Sequence, residues 1–228
     1  MVSVAVIPAR SGSKRIPNKN FIEVQGRSVV DHAINLASSS GLFDQIIVSV
    51  DSAVSANLIS SRVADIHIRS AILASDEART IDVVKEVIEE KRISKSINLC
   101  CLYPTSILLP SQRIVEGLNT LENNKGCFVF AAQESRTNPL RMFQIDSAKK
   151  KVLFLDEKSV KKNTQDLGTY YSDAGQFYWA SSSTWCNEAE ILSSSSVPVI
   201  LNKWETIDVD SPEDFDMVRI LLKVRERQ

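Results

Sequence analysis

A chain of 228 residues is long enough for one α/β domain with a sizeable core, or for a core with a small appendage. An apolar content of 43% and a charged content of 24% suit an ordinary soluble globular protein. The net charge of -1 gives no global attraction to nucleic acid or to anionic membranes, so any affinity for anions has to come from a local cluster.

Residues 2–7 form an apolar, β-rich run that is too short for the core of a signal peptide and is followed at once by a basic loop. No stretch approaches the roughly 20 apolar residues of a membrane span, so the expected location is cytoplasmic. Next, Val30, Ala33, Ile34 and Ala37 make a helical stripe, begun by Ser28 as cap with Asp31 three residues on. Residues 46–50 read as a strand. A second stripe is Ile81, Val84, Val87 and Ile88, followed by a strand at 99–103. A third stripe from Ser111 carries Ile114, Val115, Leu118 and Leu121, and a strand follows at 127–132. These strands are almost continuously apolar, as buried parallel strands are. The alternation predicts a doubly wound, mostly parallel, Rossmann-like α/β sheet, with residues 1–228 as a single domain.

The rhythm breaks near residue 135. Residues 135–175 are richer in Lys, Asn and Asp, with short extended runs at 140–145 and 151–155, and read as an inserted, β-rich arm. Strands at 176–180 and 197–201 return to the core, and the serines at 181–183 and 193–196 read as surface turns. The last helix opens with Ser211 as cap, Pro212 in the first turn and the acids Glu213 and Asp214; Phe215, Val218 and Leu222 give it a core face. Cys100, Cys101, Cys127 and Cys186 have no CxxC spacing; Cys100, Cys101 and Cys127 lie in apolar strand-like runs and read as buried thiols of a reducing compartment rather than a zinc site. His32 and His67 both sit beside apolar residues and read as satisfied or surface histidines.

The loop after the first strand, Ala9-Arg10-Ser11-Gly12-Ser13-Lys14-Arg15-Ile16-Pro17-Asn18-Lys19-Asn20, carries the strongest chemical signal. It lies at the carboxyl end of a strand, where open α/β sheets bind ligands. Small residues let backbone N–H groups approach phosphate oxygens, and four cations neutralise their charge. Neither GxGxxG nor GxxxxGK[ST] is present, so a dinucleotide fold and a P-loop are not indicated. The arrangement predicts phosphate binding; a plain solvated basic loop is the alternative.

This loop resembles the signature of the CMP-sugar synthetases, the cytidylyltransferases for sialic, legionaminic, pseudaminic and ketodeoxyoctonic acids. The resemblance continues through residues 69–80, Tyr103-Pro104-Thr105-Ser106, Asn138-Pro139-Leu140-Arg141, Gln165-Asp166-Leu167 and Ile207-Asp208-Val209-Asp210. It implies a sheet of the nucleotide-diphospho-sugar transferase type. It also implies Arg10, Lys19 and Asp210 as catalytic groups, with Arg10 and Lys19 on the CTP phosphates. Ala9, Ser11, Gly12, Ser13 and Lys14 would help through backbone or charge, Asn20 would meet the ribose, and Arg69 and Thr80 would meet base and ribose. Tyr103 stands where the sialate enzymes usually have Gln, and Arg141 where they have a sugar-side Lys; with Gln176 these are the sugar-binding candidates. Arg141 can pair bidentately with a carboxylate, which Lys cannot do.

Asp208 and Asp210 share a face if the run is extended, and two carboxylates in a phosphate cleft suit Mg²⁺. Helix capping is the alternative role for Asp210. The implied reaction is attack of a sugar's anomeric hydroxyl on the α-phosphorus of CTP, with pyrophosphate leaving. The implied partners are CTP and an acidic nine-carbon sugar, with no nucleic acid and no membrane, in a homodimer paired through the arm. The sequence Asp173-Ala174-Gly175-Gln176-Phe177-Tyr178-Trp179 resembles the pseudaminic acid branch. A sialate or legionaminate synthetase, another nucleotidyltransferase, and a catalytically inactive nucleotide-binding module stay open as alternatives.

Overall fold

A computed structural model describes residues 2–225. The first strand, β1 (Ser3–Ala9), is buried along its length except at Pro8, because it pairs on both sides. A loop and one 3-10 turn (Lys19–Phe21) lead into a hairpin of β2 (Glu23–Val24) and β3 (Arg27–Ser28). Helix α1 (Val29–Ser40), strand β4 (Gln45–Val50), a single turn α2 (Ala53–Ala56), strand β5 (Asp65–Ile68), helix α3 (Thr80–Glu90) and strand β6 (Asn98–Leu102) follow. Then come α4 (Ser111–Asn123), β7 (Val129–Glu134), β8 (Phe143–Asp146), β9 (Lys151–Phe154) and the short α5 (Glu157–Val160). The chain closes with β10 (Tyr171–Ser181), α6 (Ser182–Asn187), β11 (Val197–Leu201) and α7 (Pro212–Arg225).

Seven strands form one sheet in the order β11-β7-β10-β6-β1-β4-β5. All neighbours are parallel except β10, which runs against both β6 and β7. The side chains of β1 alternate as a two-sided strand requires. Ala5, Ile7 and Ala9 join Val30, Ala33, Ile34 and Ile114 on the face covered by α1 and α4, while Val4 and Val6 join Ile81, Val84, Val87 and Trp185 on the face covered by α3 and α6. The doubly wound, mostly parallel sheet expected from the alternation is therefore the observed one. A third cluster lies beyond the sheet edge: Ile16, Val24, Leu108, Val209, Phe215 and Val218 tie the first loop and the hairpin to α7.

The expected caps are present. Ser28 Oγ accepts the Asp31 N–H at 3.2 Å and donates to its carboxylate at 2.7 Å, while the same carboxylate accepts the N–H groups of Ser60 and Ser61. Cys100 and Cys101 are fully buried free thiols, whose pKa values burial raises; Cys127 and Cys186 are half-buried.

Five features differ from the sequence reading. Strand β5, Asp-Ile-His-Ile, is a short edge strand whose polar residues hide its period. The hairpin β2–β3 was not expected. Residues 181–183 are the cap and first turn of α6, not a surface turn: Ser181 Oγ accepts the Thr184 N–H at 3.1 Å, and Ser182 and Trp185 are fully buried. Finally, β10 starts five residues before the expected 176, and residues 139–141 form a 3-10 turn before β8.

Helix α4 meets the sheet at Gly117, where the indole of Trp179 and the ring of Phe177 approach closely. A Cβ there would stand 2.7 Å from Trp179 and 2.8 Å from Phe177. Trp179 cannot retreat, since it stacks on Phe43 and donates to the Ile114 carbonyl at 3.1 Å. Alanine gains about 1 kcal/mol of helix propensity over glycine. Overpacking by a methyl group against two fixed rings costs more. Gly117→Ala is expected to lower stability by about 1–2 kcal/mol, read as a lower urea midpoint with an unchanged slope.

Candidate active site

The carboxyl ends of β1, β4, β5 and β6 point the same way, and the antiparallel β10 brings its early residues to that same edge. The loop after β1 is fastened there by Asp51, which directly follows β4. Its carboxylate accepts the Ser11 N–H and the Ser11 hydroxyl, each at 2.8 Å, and the Ser55 hydroxyl at 2.5 Å. Burial pushes this carboxyl's pKa up, but the hydrogen bonds from Ser55 and Ser11 outweigh it, and the net shift is downward. Ile16 plugs the loop into the α7 cluster, and buried Asn20 donates from its amide to the Arg10 carbonyl at 2.9 Å.

With the backbone fixed, the four cations sort into two pairs. Arg10 and Lys14 both meet Asp76, Lys14 at 3.0 Å, and their hydrogen bonds hold the Asp76 carboxyl below the usual range. Arg15 pairs with Asp210, while Lys19 Nζ donates to the Val209 carbonyl at 2.7 Å and stands 3.8 Å from Asp210. Burial lowers the Lys19 pKa, and the charges of Asp210 and Asp208 pull against it. Val209 is fully buried under α7, which sets Asp208 and Asp210 on either side of an anchored residue. Asp208 has its carboxyl pushed up, first by burial and then by the like charge of Asp210.

A cleft of about 450 Å³ is lined by the four cations and Asp76, whereas Asp208 and Asp210, expected in the same cleft, are not among its lining residues. Of the expected contacts, Arg10, Ser13, Lys14, Lys19, Asn20, Arg69, Thr80 and Tyr103 line it. Arg69 is only 7% exposed, donates from Nε to Ser49 Oγ and from Nη2 to the Ser49 carbonyl, both at 3.0 Å, and has no carboxylate in ion-pair range among the described residues. Thr80 and Tyr103 share a 2.6 Å hydrogen bond between their hydroxyls, and burial pushes the Tyr103 phenol up to about 12. A smaller cleft of about 240 Å³ holds Asp208 together with Ser135, Arg136 and Thr206.

A cytidylyltransferase family model matches residues 4–212, nearly the whole chain. The chain belongs to the cytidylyltransferase family. A pseudaminic acid cytidylyltransferase of Campylobacter jejuni is 33% identical over 227 residues, covering 98% of this chain and 97% of that protein. An N-acylneuraminate cytidylyltransferase of Streptococcus agalactiae is 28% identical over 217 residues, covering 94% of this chain and 52% of its own length. Among solved structures, a CMP:2-keto-3-deoxy-manno-octonic acid synthetase complexed with CTP superposes with a TM-score of 0.71 at 15% identity, covering 99% of this chain and 100% of that one. At that identity the likeness concerns the fold.

Within this cytidylyltransferase, some expected residues stand elsewhere. Ala9 is fully buried in β1, and the Ser11 N–H is taken by Asp51, so neither offers a free donor group to a phosphate. Gly12 is exposed on the loop, near Asp76. Gln176 does not reach the cleft with its side chain: it is 1% exposed and its amide donates to the carbonyls of Ala174 and Gly175. Its backbone carbonyl instead accepts the Tyr103 N–H and the Ser106 hydroxyl, shaping the turn that bears Tyr103. Arg141 lies on the arm, donating to Thr164 Oγ1 at 2.6 Å, and does not line the cleft of its own chain. Asp51, Asp76 and Arg15 were missing from the sequence-based site. Asp51 was findable, since it follows a strand at the ligand-binding edge; Asp76 carries no such signal.

Asp51→Ala removes the acceptor for three donors at once. The loop's cations lose their fixed placement, and CTP affinity is expected to fall about tenfold, with a stability loss of about 1–3 kcal/mol. Because the folded Asp51 pKa lies below its unfolded value, this stability contribution is complete above the unfolded pKa and is lost as pH falls through the folded one. Calorimetric CTP titration and denaturation at neutral and acid pH measure both effects.

Proposed function

We propose that this cytidylyltransferase transfers CMP from CTP to the anomeric hydroxyl of a nonulosonic acid, pseudaminic acid in particular, releasing pyrophosphate. The observation that carries the reading is the near full-length likeness to the Campylobacter jejuni pseudaminic acid cytidylyltransferase, joined to a cleft lined by Arg10, Lys14, Arg15, Lys19 and Arg69. The sugar hydroxyl oxygen bonds to the α-phosphorus as the bond to the pyrophosphate oxygen breaks. The chain's part is positioning and charge neutralisation: Arg10 and Lys14 exchange Asp76 for phosphate oxygens, and Lys19 and Arg15 face them from the Asp210 side. Thr80 and Tyr103 present paired hydroxyls on the opposite wall.

The donor set fits Mg²⁺. Asp208 and Asp210 would supply two oxygen ligands: burial first, and then the like charge of Asp210, raises the Asp208 pKa, and a divalent cation would offset that repulsion. When bound, the ion supplies Lewis-acid charge neutralisation at the phosphates.

The arm between β7 and β10 supports a homodimer. One face of its hairpin exposes Phe143 (53%), Ile145 (68%) and Val152 (49%), an apolar surface that a second copy of the arm would cover. Pairing through the arm is also how Arg141 would come to a sugar-binding cleft. No helix among the described residues is long and apolar enough to cross a membrane.

Pyrophosphate release is expected with CTP but not with GTP, and is expected to stop on full chelation of divalent metal. Among sugars, kcat/KM is expected to favour pseudaminic acid over legionaminic and N-acetylneuraminic acids; preference for either of the latter would reassign the substrate within the same family. Arg10→Ala and Asp210→Ala are each expected to lower turnover about 10²–10³-fold with unchanged circular dichroism. Light scattering at micromolar concentration is expected to give a dimer mass, and a monomer would refute pairing through the arm.

A further inference from the structure

His67 is buried at 2% exposure on the sheet face beneath α3, away from the cleft. In the parallel pairing of β4 with β5 it lies beside Ser49, and Arg69 follows two residues on, so His67 and Arg69 share one face. Ser49 Oγ stands 3.0 Å from His67 Nδ1 and 3.0 Å from Arg69 Nε. On the far side of the ring, Nε2 faces Glu90 at 3.1 Å and Glu86 at 3.7 Å, two carboxylates one turn apart on α3. Nε2 makes no hydrogen bond among the described residues, but its two facing anions favour the tautomer with the ring proton on Nε2 and Nδ1 as the acceptor, which we assign here. The single Ser49 proton then goes to Nδ1, and the oxygen's lone pairs receive the Arg69 Nε–H. While His67 accepts that proton, the Ser49 hydroxyl is oriented with its lone pairs toward Arg69 Nε.

We propose that His67 is a positioning residue for the nucleotide cleft: through the Ser49 hydroxyl it fixes the Arg69 guanidinium, and protonation of its ring loosens that hold. A proton on Nδ1 turns that nitrogen into a donor, leaves the fully buried Ser49 hydroxyl without its acceptor, and sets a second cation beside Arg69. The charged groups around the ring are Glu90 and Glu86, which favour that proton, and Lys91 and Arg69, which oppose it. Burial is the largest influence and keeps the His67 pKa below its ordinary value. The hold is therefore complete above about pH 6.5, the ordinary histidine value, and is lost as pH falls through the lower folded value.

The inference rests on the cytidylyltransferase reading, and CTP binding by calorimetry separates the two. His67→Phe removes the acceptor but keeps a ring; it is expected to weaken CTP about three- to tenfold, the worth of one hydrogen bond, raising KM for CTP while leaving kcat and the sugar KM unchanged. His67→Asn keeps an acceptor near the Nδ1 position but cannot titrate; it is expected to match the wild type at pH 7.5 and to lack its additional loss at pH 5.5. Since CTP phosphates titrate in the same range, affinities are compared as ratios between variants at each pH. In an Arg69→Ala background, His67→Phe is expected to have no further effect. Equal CTP affinity of wild type and His67→Phe, or a parallel pH dependence of wild type and His67→Asn, would overturn the proposal. Should His67→Phe fail to fold, the His67→Asn comparison decides it alone. A wild type that does not bind CTP would overturn the cytidylyltransferase reading itself, and this proposal with it.

Discussion

Four cations within ten residues of one loop repel one another, and the structure compensates them from two remote places. Asp76 takes Arg10 and Lys14, while Asp210 takes Arg15 and lies near Lys19. The partners are separated from the loop by 66 residues in the first pair and 195 in the third, so the charge balance forms only when the sheet and α7 are in place. These pairs are largely solvent-accessible, and exposed ion pairs contribute little to stability. Their importance is directional: the carboxylates hold the cations around one cleft.

The sheet's one antiparallel strand serves the same edge. Because β10 runs against β6, its early residues lie beyond Leu102, beside Tyr103. The pairing of β10 with β7 shifts register between Asp173 and Tyr178, and Gly175 takes a φ of 58° that a residue with a Cβ resists. The bulge turns the Gln176 carbonyl toward the Tyr103 N–H and the Ser106 hydroxyl. Residue 176 thus shapes the cleft wall through its backbone, with its side chain packed inside. Tyr178, on the same strand, meets Tyr103 edge to face at 5.4 Å and donates to Asp173 at 2.7 Å. The position of the Tyr103 hydroxyl is therefore set by β10 as much as by its own turn.

Periodicity made the core legible. The stripes of α1 and α3, and the strands 46–50, 99–103 and 127–132, could be read from the chain because burial against a two-sided sheet leaves an apolar pattern at the period of each element. The basic loop was legible as a cleft-lining element as well, since small residues and cations directly after a parallel strand stand at the sheet's ligand-binding edge. Neither the seam at Gly117 nor the buried cap of α6 could be read. Glycine in a helix and serines in a row look like flexibility until the rings of Trp179 and Trp185 are placed against them.

What the sequence determined by itself was local: which segments are helix or strand, that the sheet is mostly parallel, and that a basic loop follows the first strand. Residue type and spacing suffice there, because each of those properties depends on neighbours within one or two turns of chain. The direction of β10, the pinning of Ser11 by Asp51, the sorting of cations between Asp76 and Asp210, and the line from His67 through Ser49 to Arg69 were decided only by tertiary structure. Those are contacts between residues 18 to 195 positions apart, and a hydrogen bond or ion pair over such a distance leaves no periodic trace in the sequence.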